Sequence, residues 1–238
     1  MSEELNNMEK GCNKVIVRHC PILESRQERY NNVIRFKIPG RFPTAPESEV
    51  SIIVPKDLDI SSGLVIGKSV NIEGHVEAFT TYDSAMERRI SNMEIYADKI
   101  VPDTPLLKEM FGDVPGTFCG PVELCGVFAG EVISAVEPAQ TDGKRNYFCR
   151  LVVEIPGVGE NKHSSRISFD YNTHPAEGLP AFEYKSRVTD SRRNIVERGD
   201  MVYIIAFYSN RTSQNKDGVF VSHKNWFVKD IRLQDALI

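Results

Sequence analysis

No apolar run in these 238 residues approaches the roughly 20 that a membrane-spanning helix needs. The start, MSEELNNMEKG, is acidic and polar where an export signal needs a basic and then an apolar stretch. The chain is therefore expected to be cytoplasmic, with residues 1–11 a flexible tail. Charge of one sign is also lacking: 29 Lys and Arg against 33 Asp and Glu leave a formal charge of −4. Binding to nucleic acid would then need a local basic surface rather than a global one. Catalytic signatures are missing too. There is no phosphate-cradling GxxxxGK[ST], no GxSxG and no HExxH. The histidines (His19, His75, His163, His174 and His223) are scattered, and no acidic cluster recurs in a form that would hold two metal ions. No catalytic residue, metal or cofactor is expected, and the chain is not expected to be an enzyme.

Five cysteines (Cys12, Cys20, Cys119, Cys125 and Cys149) are an odd number in a chain without an export signal, which argues for reduced thiols. Cys12, His19 and Cys20 lie close in sequence, but no CxxC or second ligand pair accompanies them, and buried or neutral thiols are expected.

What is present is short apolar alternation punctuated by Gly, Pro, Asn and Asp, with few segments at helical spacing, so an all-β chain is expected. In NNVIRFKIPG the residues Ile34, Phe36 and Ile38 share one face while Arg35 and Lys37 share the other. SEVSIIVP, GKSVNIEGHVEAF and ISNMEIYADKI continue the series. The Ile-Pro-Gly ending at Gly40 returns at Gly157, and the same spacing of 117 sets Tyr30 on Tyr147, Ile34 on Leu151, Phe36 on Val153 and Ile52 on Phe169. From Gly67 the spacing becomes 132, setting Val70 on Val202, Ile72 on Ile204 and Thr80 on Thr212. An insertion between two strands accounts for the change, since closing a longer loop costs little more entropy. The chain thus reads as two similar β units: 12–103 and 121–238, joined by a proline-containing linker over 104–120. The alternative is a single β-sandwich whose strands share a generic pattern.

Each unit reads as five strands with room for a short helix or loop between the third and fourth, which is the order of the OB-fold, a partly open Greek-key barrel. GLVIGKSVNIEGHVEAF (63–79) and NIVERGDMVYIIAF (194–207) resemble the Leu-x-x-Gly-x-x-Val-x-Val-x-Gly lead into the fourth strand of single-stranded DNA-binding proteins. TTYDSAMERRISNMEIYADKI and TSQNKDGVFVSHKNWFVKDI resemble that family's long hairpin between the fourth and fifth strands. The resemblance implies two tandem five-stranded OB-fold barrels that bind and protect single-stranded DNA during DNA replication, recombination or repair. It also implies that a homodimer would present four such units. Ala206 departs from the pattern where Gly74 follows it, and the ending RLQDALI lacks the acidic, apolar-tipped tail with which many members recruit partners.

Sequence-tolerant binding of a single strand calls for cations along the phosphates and aromatic faces for the bases. In the first unit the candidates are Arg35, Lys37, Arg41, Phe42, Tyr82, Arg88 and Arg89. In the second they are Lys144, Arg145, Phe148, Arg150, Tyr203, Phe207, Arg211, Lys216, Lys224 and Trp226. The insertion adds Lys185, Arg187, Arg192, Arg193 and Arg198, either a basic arm or an ordinary charged helix or loop. Two rivals remain at this point: a protein-interaction module whose outward aromatics meet a partner, and single-stranded RNA binding.

Overall fold

The structure is a computed structural model. It describes residues 11–38, 47–58, 69–83, 88–103, 122–136, 140–141, 144–145, 148–158, 163–172, 188–214, 218 and 220–234. The expected tail before residue 11, the linker after Asp103 and the turn around Gly40 lie outside these. Alternating apolar residues produce strands as expected: Ile34, Phe36 and Ile38 are buried, Lys37 is exposed, and Val50, Ile52 and Val54 repeat the pattern.

The first half contains β1 (Cys12–Pro21), β2 (Glu24–Gln27), β3 (Asn31–Ile38), β4 (Ser48–Pro55), β5 (Ser69–Asp83) and β6 (Arg88–Pro102). The second contains β7 (Glu123–Val136), β8 (Gln140–Thr141), β9 (Lys144–Arg145), β10 (Phe148–Ile155), β11 (Ser165–Asn172), β12 (Met201–Gln214) and β13 (Phe220–Leu233). No α-helix occurs among the described residues. The segment expected as helix or loop in the first half falls largely on 59–68, outside the description. The described part of its counterpart is a loop: Thr189 bridges Ile195, and the buried Asp190 carboxylate accepts from the Arg192 and Asn194 backbone N–H groups. Ser191 N–H donates to Ile231 O and fastens that loop against β13, while Arg193 and Arg198 stand exposed.

Eleven strands form one sheet in the order β10-β11-β13-β12-β7-β1-β5-β6-β4-β3-β2, and β10 also pairs with β7. That last pairing closes the second half as a five-stranded barrel, with β11 and β13 parallel and the other neighbours antiparallel. The first half keeps the same order, with β4 parallel to β6. Its ring is completed by the chain itself: β1 runs through Ile22 and Leu23 into β2, which pairs with β3, and Leu23 N–H donates to Arg35 O. An irregularity between Val17 and Cys20, where His19 has φ +54°, turns the strand toward β3. His19 is held there by Asn71, which accepts its N–H, and by Asp103, 2.9 Å from Nδ1. The second half makes its approach at Gly130, where an added Cβ would strike the carbonyl of Glu154 on the closing strand.

The two halves share register as well as order. Ile34 pairs with Ile52 and Leu151 with Phe169, each member of the second pair 117 positions after its counterpart. The irregularity between Glu73 and Gly74 on β5 recurs 132 positions later, between Ile205 and Ala206 on β12. Val15 pairs with Gly74 and Gly126 with Ala206, so Val15 and Gly126 occupy corresponding places. These two residues also pair with each other in the antiparallel β1–β7 seam. An approximate internal two-fold axis therefore passes through that pair and relates the barrels.

The long hairpins reach across this axis reciprocally. Ala78 N–H, on the first hairpin, donates to Ser165 Oγ at 3.0 Å, and Asn210, on the second, donates to Glu49 O at 2.8 Å. Each interior is apolar. The second is centred on Trp226, which meets Phe128 edge-on at 5.0 Å and Tyr208 at 5.2 Å.

Candidate nucleic-acid interface

Barrels of this order offer the outer face of their second and third strands, flanked by the loop after the first strand and the loop between the fourth and fifth. In the first half these elements are β3 and β4, the turn leaving β2, and the β5–β6 hairpin. Alternation places Val33, Arg35 and Lys37 on the outer face of β3, opposite Ile53, Ser51 and Glu49. The expected cations are there but paired. Arg35 lies 3.2 Å from Glu24 on β2 and 4.0 Å from Glu49 on β4, and Lys37 lies 3.5 Å from Glu47. Such exposed pairs are worth about 0–1 kcal/mol, so a phosphate can displace the carboxylate at little cost.

Aromatic faces stand at both flanks of this surface. Tyr82, 66% exposed, lies near the end of β5 opposite Arg89, and Arg88 lies opposite Asp83. Of Arg88 and Arg89 only the backbone is described; Arg41 and Phe42 lie outside the description. Tyr30 is 71% exposed on the tight turn from β2 to β3, which Glu28 N–H closes onto Asn31 O. The Arg29 guanidinium sits over its ring at 5.1 Å, and Lys56 donates to Arg29 O. Tyr30 and Arg29 were not among the expected site residues. An adjacent aromatic and cation in the polar run QERYNN is the signal that marks them.

In the second half the outer face of β10 and β11 is again laced by ion pairs. Arg150 stands 3.5 Å from Asp170, and Arg166 stands 3.6 Å from Glu154. Burial pushes the Asp170 carboxyl above its ordinary pKa, and Arg150 opposes that only in part. Lys144 and Arg145 form β9, Phe148 opens β10 and Arg211 lies on β12; their backbones alone are described, and Lys216 lies outside.

The structure separates the remaining candidates from this face. Tyr203 and Phe207 point outward from β12, as alternation predicts, but β12 borders β7 and β13 rather than β10. Tyr203 is half-buried, and Phe207, 39% exposed, carries Lys229 over its ring at 5.2 Å. Lys224 reaches across the internal axis, where its Nζ donates to Met93 O on the other hairpin. Trp226 is a correction: it is fully buried and cannot offer a face to a base. Its register opposite Phe169 on β11 and Tyr208 on β12 aims the indole into the barrel, where Nε1 finds no hydrogen-bond partner among the described residues.

No cluster of His, Cys, Asp or Glu fit to hold a metal occurs among the described residues. Burial raises the Cys20 thiol to about 12 and raises Cys12 as well, which suits neutral thiols. No helix among the described residues is long and apolar enough to cross a membrane.

No protein-family model matches the sequence, and no curated protein does. Two solved structures share the fold over most of their length. The single-stranded DNA binding protein from Thermus aquaticus is 12% identical, with a TM-score of 0.55 over 94% of this chain and 93% of that one. A deletion mutant of the same protein is 13% identical, with a TM-score of 0.54 over 94% of both chains.

Proposed function

We propose that this chain binds single-stranded DNA without catalysis, covering and presenting the strand during DNA replication, recombination or repair in the cytoplasm. The carrying observation is the first barrel's outer β2–β3–β4 face, with Arg35 and Lys37 upon it and Tyr30 and Tyr82 exposed at its two flanks. Phosphates exchange for the Glu24, Glu49 and Glu47 carboxylates, while bases stack on the tyrosines. The fold it shares with the Thermus aquaticus protein supports the reading. The working unit is a homodimer, which brings four barrels to one strand.

Intrinsic fluorescence is a poor probe, because the one tryptophan lies in a core. The test is anisotropy of labelled oligo(dT), duplex DNA and single-stranded RNA at two salt concentrations. Binding of oligo(dT) in preference to duplex, weakened by salt, is expected. Tyr30→Ala removes one stacking face worth about 1–3 kcal/mol, or roughly 5- to 150-fold in affinity. Tighter binding of RNA would move the assignment to RNA. No binding of any nucleic acid at low salt would favour a protein-interaction module, for which the half-buried aromatic face of β12 is the specific support.

A further inference from the structure

Among the described residues, the parallel ladder between β4 and β6 consists of Ile52 opposite Ile95 and Ile53 opposite Tyr96. Two residues earlier on each strand the same register would set Val50 beside Met93, but there the ladder has stopped. Backbone groups that a ladder leaves behind need other partners. At this level the second half supplies them. Asn210 and Lys224 face each other across β12 and β13. From that one hairpin Asn210 Nδ2 donates to Glu49 O on β4 at 2.8 Å, and Lys224 Nζ donates to Met93 O on β6 at 3.2 Å. A single facing pair thus spans the two strands just past the end of their ladder, and ties β4 to β6 through the other barrel. The device is one-sided. At the corresponding places the first hairpin carries Ala78 opposite Met93, and neither side chain has a donor. Its hydrogen bond to the second barrel comes from the Ala78 backbone N–H to Ser165 Oγ, which any residue but proline could make.

The strand held in this way belongs to the proposed binding face. Glu49, Ser51 and Ile53 stand on the outer side of β4 opposite Lys37, Arg35 and Val33, and the Glu49 carboxylate lies 4.0 Å from Arg35. We propose that Asn210 and Lys224 are positioning residues for that face. By bridging β4 and β6 they keep the outer row of β4 in place beside β3, so that the first barrel binds at full strength only with the second half's hairpin across it. Lys224 acts here through a main-chain carbonyl and not on a phosphate. The proposal rests on the reading of this face as the one that binds DNA, and it makes the second half a part of the first barrel's site.

Native-state amide hydrogen exchange and oligo(dT) anisotropy on the full chain test it together. In Asn210→Ala with Lys224→Met the β4 amides are expected to exchange about 5- to 30-fold faster, while those of β10 and β11 keep their rates. Affinity for oligo(dT) is expected to fall threefold or more with the salt slope unchanged. A slope shallower by about 1 would mean that Lys224 touches a phosphate itself, which overturns the positioning role. Unchanged β4 exchange would sink the bridge, and faster exchange with undiminished affinity would sink its link to binding. A wild-type chain that binds no oligo(dT) removes the binding reading alone, because the exchange measurement decides the bridge without DNA. Circular dichroism checks folding. If the double variant unfolds, Asn210→Asp keeps the shape and loses the donor, with twofold or faster β4 exchange expected and an unchanged rate counting against the bridge.

Discussion

Gly126 is a point at which side chains of the second barrel's core leave no room for a Cβ. A Cβ added there would lie 2.5 Å from Phe128 Cζ and 2.7 Å from Trp226 Cζ3. In the first barrel the corresponding places hold Val15 and Ile95, so one very small and one very large residue replace two of middle size. Both rings are fully buried, and Trp226 is hemmed in by Phe128 and Tyr208. Gly126→Ala should therefore destabilise the chain by about 1–3 kcal/mol through overpacking. Trp226→Ile alone leaves a cavity and should cost about 2–4 kcal/mol. Together they approach the first barrel's arrangement, since loss of the indole gives Phe128 room to move off the added methyl, and the double variant should be more stable than the sum of the singles by about 1–3 kcal/mol. Urea unfolding followed by far-UV circular dichroism measures all four proteins. The single tryptophan adds a local reading of the second barrel in the Gly126→Ala variant. Additivity within about 0.5 kcal/mol would refute the claim that these side chains compete for one space.

Four further outcomes are expected. If about three phosphates are contacted, the logarithm of the oligo(dT) affinity should fall with the logarithm of salt at a slope near −2, and a slope steeper than about −5 would mean that cations beyond the paired arginines carry binding. Arg35→Ala with Lys37→Ala should then weaken binding more than Arg150→Ala with Arg166→Ala, and the reverse order would place the strand on the second barrel. Burial lowers the His75 pKa, but hydrogen bonds and charge from Asp98 and Glu77 outweigh it and leave the pKa above the ordinary 6.5. The stabilisation from protonated His75 is therefore complete below about pH 6.5 and lost as pH rises through the elevated value, so His75→Gln should lower the melting temperature at pH 6 and not at about pH 9. Asn13 imitates a strand partner, donating to Val76 O at 2.8 Å and accepting Val76 N–H at 3.0 Å, so Asn13→Ala should cost about 1–3 kcal/mol in urea unfolding.

The strands and the two spacings were legible because burial enforces a period of two, and a register slip would turn every core residue outward. Ile34, Phe36 and Ile38 display that period in the sequence itself. The joining of the barrels was not legible: whether β1 ends in solvent or pairs with β7 changes no residue's inside or outside phase. Trp226 was misplaced by its position near a hairpin expected to reach the DNA, although Trp226 and Val228 keep the inward phase of Ile95 and Ala97. The irregularity near Asp230 shifts that phase by one before Ile231 and obscures it over the whole run. The ion pairs were hidden for a different reason, since Arg150 meets Asp170 only once the register of β10 against β11 is known.

Inward positions answer to the volume of one barrel, so corresponding residues there stay apolar and exchange size locally, as Phe36 does with Val153 and Ile52 with Phe169. Outward positions answer to whatever each surface meets, and no packing term holds them alike. Arg35 and Lys37 therefore correspond to Val152 and Glu154, His75 to Phe207, and Asp98 to Lys229. The internal comparison that reveals the fold is thus least informative where ligand and partner are chosen. The converse also holds: with one backbone arrangement common to both halves, each outward difference marks a place where the halves meet different chemistry. The first half's outer β3 keeps two cations that a phosphate can claim from exposed carboxylates, while the second binds Arg166 to Glu154 and Arg150 to a partly buried Asp170. Freeing the second set costs more than freeing the first, because the displaced Asp170 carboxylate would be left partly desolvated. Unequal shares of the proposed binding are expected of the two barrels from these charge arrangements, without any difference in their strand order.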